Sequence, residues 1–145
     1  MRSVAEDDLE GRRHCLFRTF VTADRELPKI GIDNFMLGAR VPTDIKPDAA
    51  GMLHPGKGGM SVTPNDPPGL PRIYVRPELP GGQSTLPVFF IPSSKLGATL
   101  RFQPARRHPE RHGFVEPAMA MKLEAYQNAL GGTVTDWVRW RQAAA

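Results

Sequence analysis

Proline and glycine punctuate this chain so densely that few long elements can form in it. The 145 residues include 15 prolines and 14 glycines, about a fifth of the chain. Proline locks φ and lacks an N–H, and clustered glycine leaves the backbone under-restrained, so the pattern favours short elements joined by long ordered loops. The fraction stays below the roughly 25–30% typical of low-complexity chains. Forty per cent of the residues are apolar, enough for one modest core. The expected organisation is a single domain, 1–145, with a frayed segment at 1–13 in which residues 3–13 form a short helix or fray.

The strand signals fall in order. His14–Thr22, HCLFRTFVT, is rich in aromatic and β-branched residues and reads as a strand with Arg18 in its middle. Residues 23–59 read as loop, with one helical turn near Asp33–Leu37. Short strands follow at Met60–Thr63, Arg72–Arg76, Pro87–Ile91, Thr99–Gln103 and His112–Glu116. Between the last two lies a basic loop, PARRHPERH. Pro117 predicts that a strand stops at Glu116 and a helix starts just beyond it. Met119, Leu123, Tyr126 and Leu130 lie four, three and four apart, giving that helix one apolar face, and Gly131-Gly132 ends it. Thr133 with Asp136 resembles a capping box for a last helix carrying Val134, Trp137, Val138 and Trp140. Strands first and helices last make an α+β domain.

Charge narrows the partners. The net charge is +4. Residues 1–50 carry eight Lys/Arg against nine Asp/Glu, and residues 51–145 carry eleven against six. The second half is the one that attracts anions: a nucleotide, a nucleic acid or an acidic partner. A lone cysteine, Cys15, excludes an intrachain disulfide. The polar, acidic start MRSVAEDDLEGRRH lacks the apolar stretch of a signal peptide, and no segment reaches the ~20 apolar residues of a membrane helix. A cytoplasmic protein is expected, leaving the cell only by a route without a cleaved leader.

Three polar features interrupt the apolar pattern. The stretch HPGKGGMSV, His54–Val62, resembles a phosphate loop but fails its template: Lys57 precedes Gly58-Gly59, and Ser61 is not adjacent to it. It reads as a glycine turn entering a strand that carries Ser61, or as a close backbone approach to a ligand. Arg18 is an edge or solvent-facing arginine or a ligand contact. Glu116 sits at a strand–helix junction, where a helix dipole alone stabilises a carboxylate. His112 and the cations Arg106, Arg107 and Arg111 lie just before it. His108 and His112, with no second ligand pair, do not specify a metal site, and Cys15 reads as a buried core thiol.

The order of LFR (Leu16–Arg18), GGMSV (Gly58–Val62) and HGFVEP (His112–Pro117) resembles the ADP-ribosyltransferase toxins. It is most similar to the small type VI secretion effectors that induce quiescence in rival bacteria, whose helix start reads Pro-Ala-x-x-Met, as in Pro117, Ala118 and Met121 here. The likeness spans residues 14–142. Met60 and Val62 flank the serine where many members have Ser-Thr-Ser, and Phe114 stands where arginine-modifying members carry Glu or Gln. The resemblance implies a split antiparallel β-sheet core with C-terminal helices and long Pro/Gly-rich loops. It implies NAD as substrate, bound by Arg18, Phe17, Gly58 and Gly59, with Glu116, Ser61 and His112 catalytic. It further implies a cognate immunity protein, secretion-machinery components and a target macromolecule in the recipient cytoplasm. Two other readings stay open from the residues themselves: a small basic ribonuclease toxin using His108, His112 and the arginines, and a protein-binding module such as an antitoxin or secretion adaptor.

Overall fold

A computed structural model describes residues 15–23, 26–33, 35–64 and 87–140. The expected helix in 3–13, His14 and the expected strand 72–76 lie outside these residues.

Six strands make one antiparallel sheet: β1 (Cys15–Thr19), β3 (Met60–Pro64), β4 (Val88–Pro92), β5 (Leu100–Pro104), β6 (Gly113–Pro117) and β8 (Val138–Arg139), in the order β5-β6-β3-β1-β4-β8. Two short strands, β2 (Met52–Leu53) and β7 (Met121–Lys122), pair as a separate ribbon, and among the described residues one α-helix, α1, runs Leu123–Gly131. The fold is therefore α+β, as the order of sequence signals suggests. Among the described residues no helix is long and apolar enough to cross a membrane.

Alternation divides the sheet into two faces. Leu16, Met60, Val62, Phe89, Ile91, Leu100 and Val115 point to one face and form the main core with Phe20, Trp137, and Tyr126 and Leu130 of α1. Phe20 meets the edge of Trp137 at 4.8 Å between ring centroids. On the opposite face Cys15, Phe17 and Val88 make a smaller cluster against Phe90 and Trp140. Central β1 is thus apolar on both faces, which explains its nearly unbroken run CLF.

The C-terminal part departs from expectation. The helix starts at Leu123, not just after Glu116, and Met119 is half exposed outside it. Pro117 is instead the last residue of β6, opposite Leu100; the Ala118 N–H bonds Thr99 O, and Met121–Lys122 pair with β2. Backbone pairing claims the residues that spacing assigned to the helix's first turn. Leu123, Tyr126 and Leu130 keep their places, and the helix ends at Gly131-Gly132 as expected. The second expected helix is a 3-10 turn, Val134–Asp136, followed by edge strand β8. Thr133 does not cap it: the Thr133 hydroxyl donates to Leu130 O and accepts the indole N–H of Trp137. That contact anchors Trp137 in the core and turns the chain back into the sheet.

Candidate functional site

The site grows from a fork in the sheet. β1 and β3 are paired only at Leu16–Pro64 and Phe17–Thr63. Beyond that point β1 leads away, with the Phe20 N–H on Pro87 O and the Val21 N–H on Phe35 O. Arg18 fills the opening. Its Nη1 donates to Ser61 O at 2.7 Å and its Nη2 to Met36 O at 3.4 Å, while the guanidinium lies 5.5 Å from the Phe20 ring centroid. A half-buried arginine in an apolar strand is therefore held by carbonyls and an aromatic face. Alternation sends Arg18 to the face of Leu16 and Phe20, and Ser61 to the face of Phe17 and Thr63. The guanidinium reaches the serine through its main chain.

Glu116 lies across β3 from this fork, on β6. Ser61 pairs with Phe114, so Glu116, two residues on, shares Ser61's face. The carboxylate is 1% exposed. Its Oε1 accepts the Gly56 N–H at 3.0 Å, and its Oε2 accepts Arg101 Nε at 2.6 Å. Arg101 is the register partner of Glu116 on β5, and its side chain is half exposed. A buried carboxylate without such partners would be strongly destabilising.

The loop supplying Gly56 is itself fastened. Asp48 Oδ1 accepts the N–H groups of Ala50 and Met52, and Asp48 Oδ2 pairs with His54 Nε2 at 2.6 Å. The His54 hydrogen bond, then the Met52 amide, hold the Asp48 carboxyl below its ordinary range. Gly58 has φ +101°, and a Cβ on it would overlap Asp44 O; a Cβ on Gly59 would overlap Val115 O and the Tyr126 hydroxyl. Both glycines are needed, but the room they leave is filled by the protein's own atoms.

Tyr126 ties these parts together. Its hydroxyl donates to Val115 O and accepts the Met60 N–H at 3.0 Å, inserted between two residues that are register partners of β3 and β6. Burial pushes the phenol well above its ordinary range; the Met60 amide opposes this, Asp44 adds to it, Arg18 opposes it and Glu116 adds to it. Arg18 lies with Tyr126 on the main-core face and Glu116 on the opposite face with Ser61, so the structure does not bring the expected guanidinium and carboxylate into one cleft.

Other expected site residues lie elsewhere. His112 is exposed at the foot of the β5–β6 loop, where its carbonyl accepts the Ala105 N–H, and lies edge-on to Phe114 at 4.9 Å. Four residues of extended chain put it about 13 Å from Glu116. Phe17 is 3% exposed and packs on Phe90 at 5.6 Å, a core contact. The Cys15 thiol is buried and pushed up by that burial, as in a core cysteine. Among the described residues no three of His, Cys, Asp and Glu gather as metal ligands.

Sequence reasoning missed Arg101, Gly56 and the Tyr126 hydroxyl. Arg101 carries a signal: pairing the strands around PARRHPERH as a tight hairpin sets residue 101 opposite 116. A cavity of about 450 Å³ lies apart from this site, lined by Ile32, Asp33, Ala39, Arg40, Val41 and Leu123, among others. Compared with known proteins, the chain matches no family model and no curated sequence.

Proposed function

We propose that the sheet face carrying Ser61, Arg101 and Glu116 binds NAD and breaks its nicotinamide–ribose bond, passing ADP-ribose to an acceptor in a target cell or to water. The observation that carries this reading is Glu116: a carboxylate 1% exposed, on the same sheet face as Ser61 and one strand from Arg18's hold on the Ser61 carbonyl. Cleavage sends the bonding electron pair away with nicotinamide and leaves positive charge on the ribose. A carboxylate beside that carbon stabilises the charge and holds a ribose hydroxyl. Arg18, on the opposite face, fixes β3 through the Ser61 carbonyl; on Glu116's own face Arg101 supplies the positive charge for the diphosphate, and Ser61 hydrogen-bonds the ribose. His112, about 13 Å along β6 from Glu116, takes no part in this step. In biological terms the reading is an antibacterial effector delivered by a type VI secretion system. It acts in the recipient cytoplasm and is neutralised in the producer by an immunity protein.

The test is inducible expression in a bacterium, wild type beside Arg18→Ala, Ser61→Ala and Glu116→Gln, following growth, NAD and RNA. The expected result is growth arrest with NAD consumption or protein ADP-ribosylation, falling at least about 100-fold for Glu116→Gln. Arrest that survives all three changes refutes the reading. Degraded RNA with intact NAD points to a nuclease.

A further inference from the structure

Glu116, as the fold holds it, is not available to a sugar. Both carboxylate oxygens are taken, one by the Gly56 N–H and one by Arg101 Nε. The two partners differ in kind. Gly56 belongs to a loop fastened by the Asp48–His54 pair. Arg101 is about half exposed and gives Glu116 only its Nε edge. Among the described residues its two Nη groups have no partner, so one side of the guanidinium faces solvent with the geometry that takes a phosphate in two parallel bonds. A cation half turned outward from a buried anion offers an incoming polyanion its unpaired edge.

We propose that Arg101 is a latch on Glu116 released by the ligand: a diphosphate draws the guanidinium off the carboxylate and thereby frees Glu116 for the sugar. The sugar half of this statement rests on reading the site as an NAD site; the anion half does not. Without a diphosphate the carboxylate stays paired and idle, so the site does not act on unphosphorylated nucleosides.

Calorimetric titration of inorganic pyrophosphate and of NAD into wild type, Arg101→Gln, Arg101→Lys, Glu116→Gln and the Arg101→Gln/Glu116→Gln double variant tests it. Each variant's melting temperature is recorded first. The double variant removes both charges and so avoids a lone buried ion, and Arg101→Lys keeps the cation if Arg101→Gln fails to fold. Losing the competing carboxylate makes Glu116→Gln bind pyrophosphate about tenfold tighter, and losing the guanidinium makes Arg101→Gln about tenfold weaker. With Arg101 already replaced, Glu116→Gln changes pyrophosphate affinity less than about twofold. Arg101→Lys binds weaker than wild type, because an ammonium cannot form the paired bonds. Equal or weaker binding by Glu116→Gln overturns the latch, since Glu116 then orients Arg101 instead of competing for it. A tenfold gain that persists without Arg101 also overturns it, as does absence of pyrophosphate binding in wild type and Glu116→Gln alike. The pyrophosphate pattern without NAD binding or cleavage upholds the anion switch and refutes the NAD reading.

Discussion

Replacing Tyr126 by Phe removes one oxygen and leaves the ring volume unchanged, so its cost isolates the hydroxyl. That hydroxyl satisfies the Met60 N–H and the Val115 carbonyl, both on residues 0% exposed. A buried backbone group left unpaired costs about 1–3 kcal/mol, so two of them give about 2–4 kcal/mol after partial relaxation. For a chain of this length that is a fall of roughly 6–15 °C in Tm. Urea titration at pH 7, followed by far-UV circular dichroism, measures it as a lower midpoint at unchanged slope. A loss below about 0.5 kcal/mol refutes the reasoning; it would mean that β3 and β6 close up and bond directly once the oxygen is gone. The alkaline limb gives a second check. The folded phenol titrates above its unfolded value, because burial disfavours the phenolate. Above about pH 10 the unfolded chain loses this proton and the folded chain keeps it, so wild-type stability falls by up to about 1.4 kcal/mol per pH unit from this group. Tyr126→Phe lacks that slope. The stability gap between the two proteins must therefore narrow as pH rises through 10, and a constant gap refutes the assignment.

Two further substitutions probe the frame around the site. Gly58→Ala meets both a positive φ and the Asp44 carbonyl and costs at least about 2 kcal/mol in the same denaturant assay. Gly56→Ala, with φ +84° and nothing within 4 Å of its Cβ position, costs only about 1 kcal/mol. Equal costs at the two positions would show that the Asp44 contact is unimportant. Thr19 is 3% exposed and among the described residues its hydroxyl has no hydrogen-bond partner, so Thr19→Val leaves stability unchanged or raises it by up to about 1 kcal/mol. A loss greater than about 1 kcal/mol, read as a lower thermal midpoint, contradicts that picture.

The fold was most legible where side-chain pattern and backbone pairing agree. β1, β3, β4, β5 and β6 lie where apolar and β-branched runs placed them, because their residues both prefer extended geometry and fill a two-sided core. Agreement stops at Pro117. The four-three-four spacing from Met119 is a valid helical face, yet residues 117–122 have strand partners waiting in Leu100 and in β2. A local period cannot report a partner some seventy positions away. Val138 and Trp140 fail as a helix for the same reason: the Trp140 N–H bonds Val88 O, and Val138 pairs with Phe90.

The site divides along the same line. Arg18, Ser61 and Glu116 stand out because each is polar within a strand that otherwise buries carbon, a contrast visible in one dimension. Arg101 does not, since an arginine facing solvent on a hairpin is ordinary until residue 116 is seen opposite it. Tyr126 is hidden more deeply. Its place on the apolar stripe of α1 is legible, but the use of its hydroxyl depends on helix docking that brings the ring tip between Met60 and Val115. That docking in turn requires Gly59 to lack a Cβ. The glycines of HPGKGGMSV thus have a structural cause before any ligand is considered. Gly59 admits the tyrosine that joins β3 to β6, and Gly58 admits the Asp44 carbonyl. Glu116 is then held beside Ser61's strand by parts whose roles are fixed only in three dimensions. A change in that loop should therefore act on Glu116 through stability first and through ligand contact second.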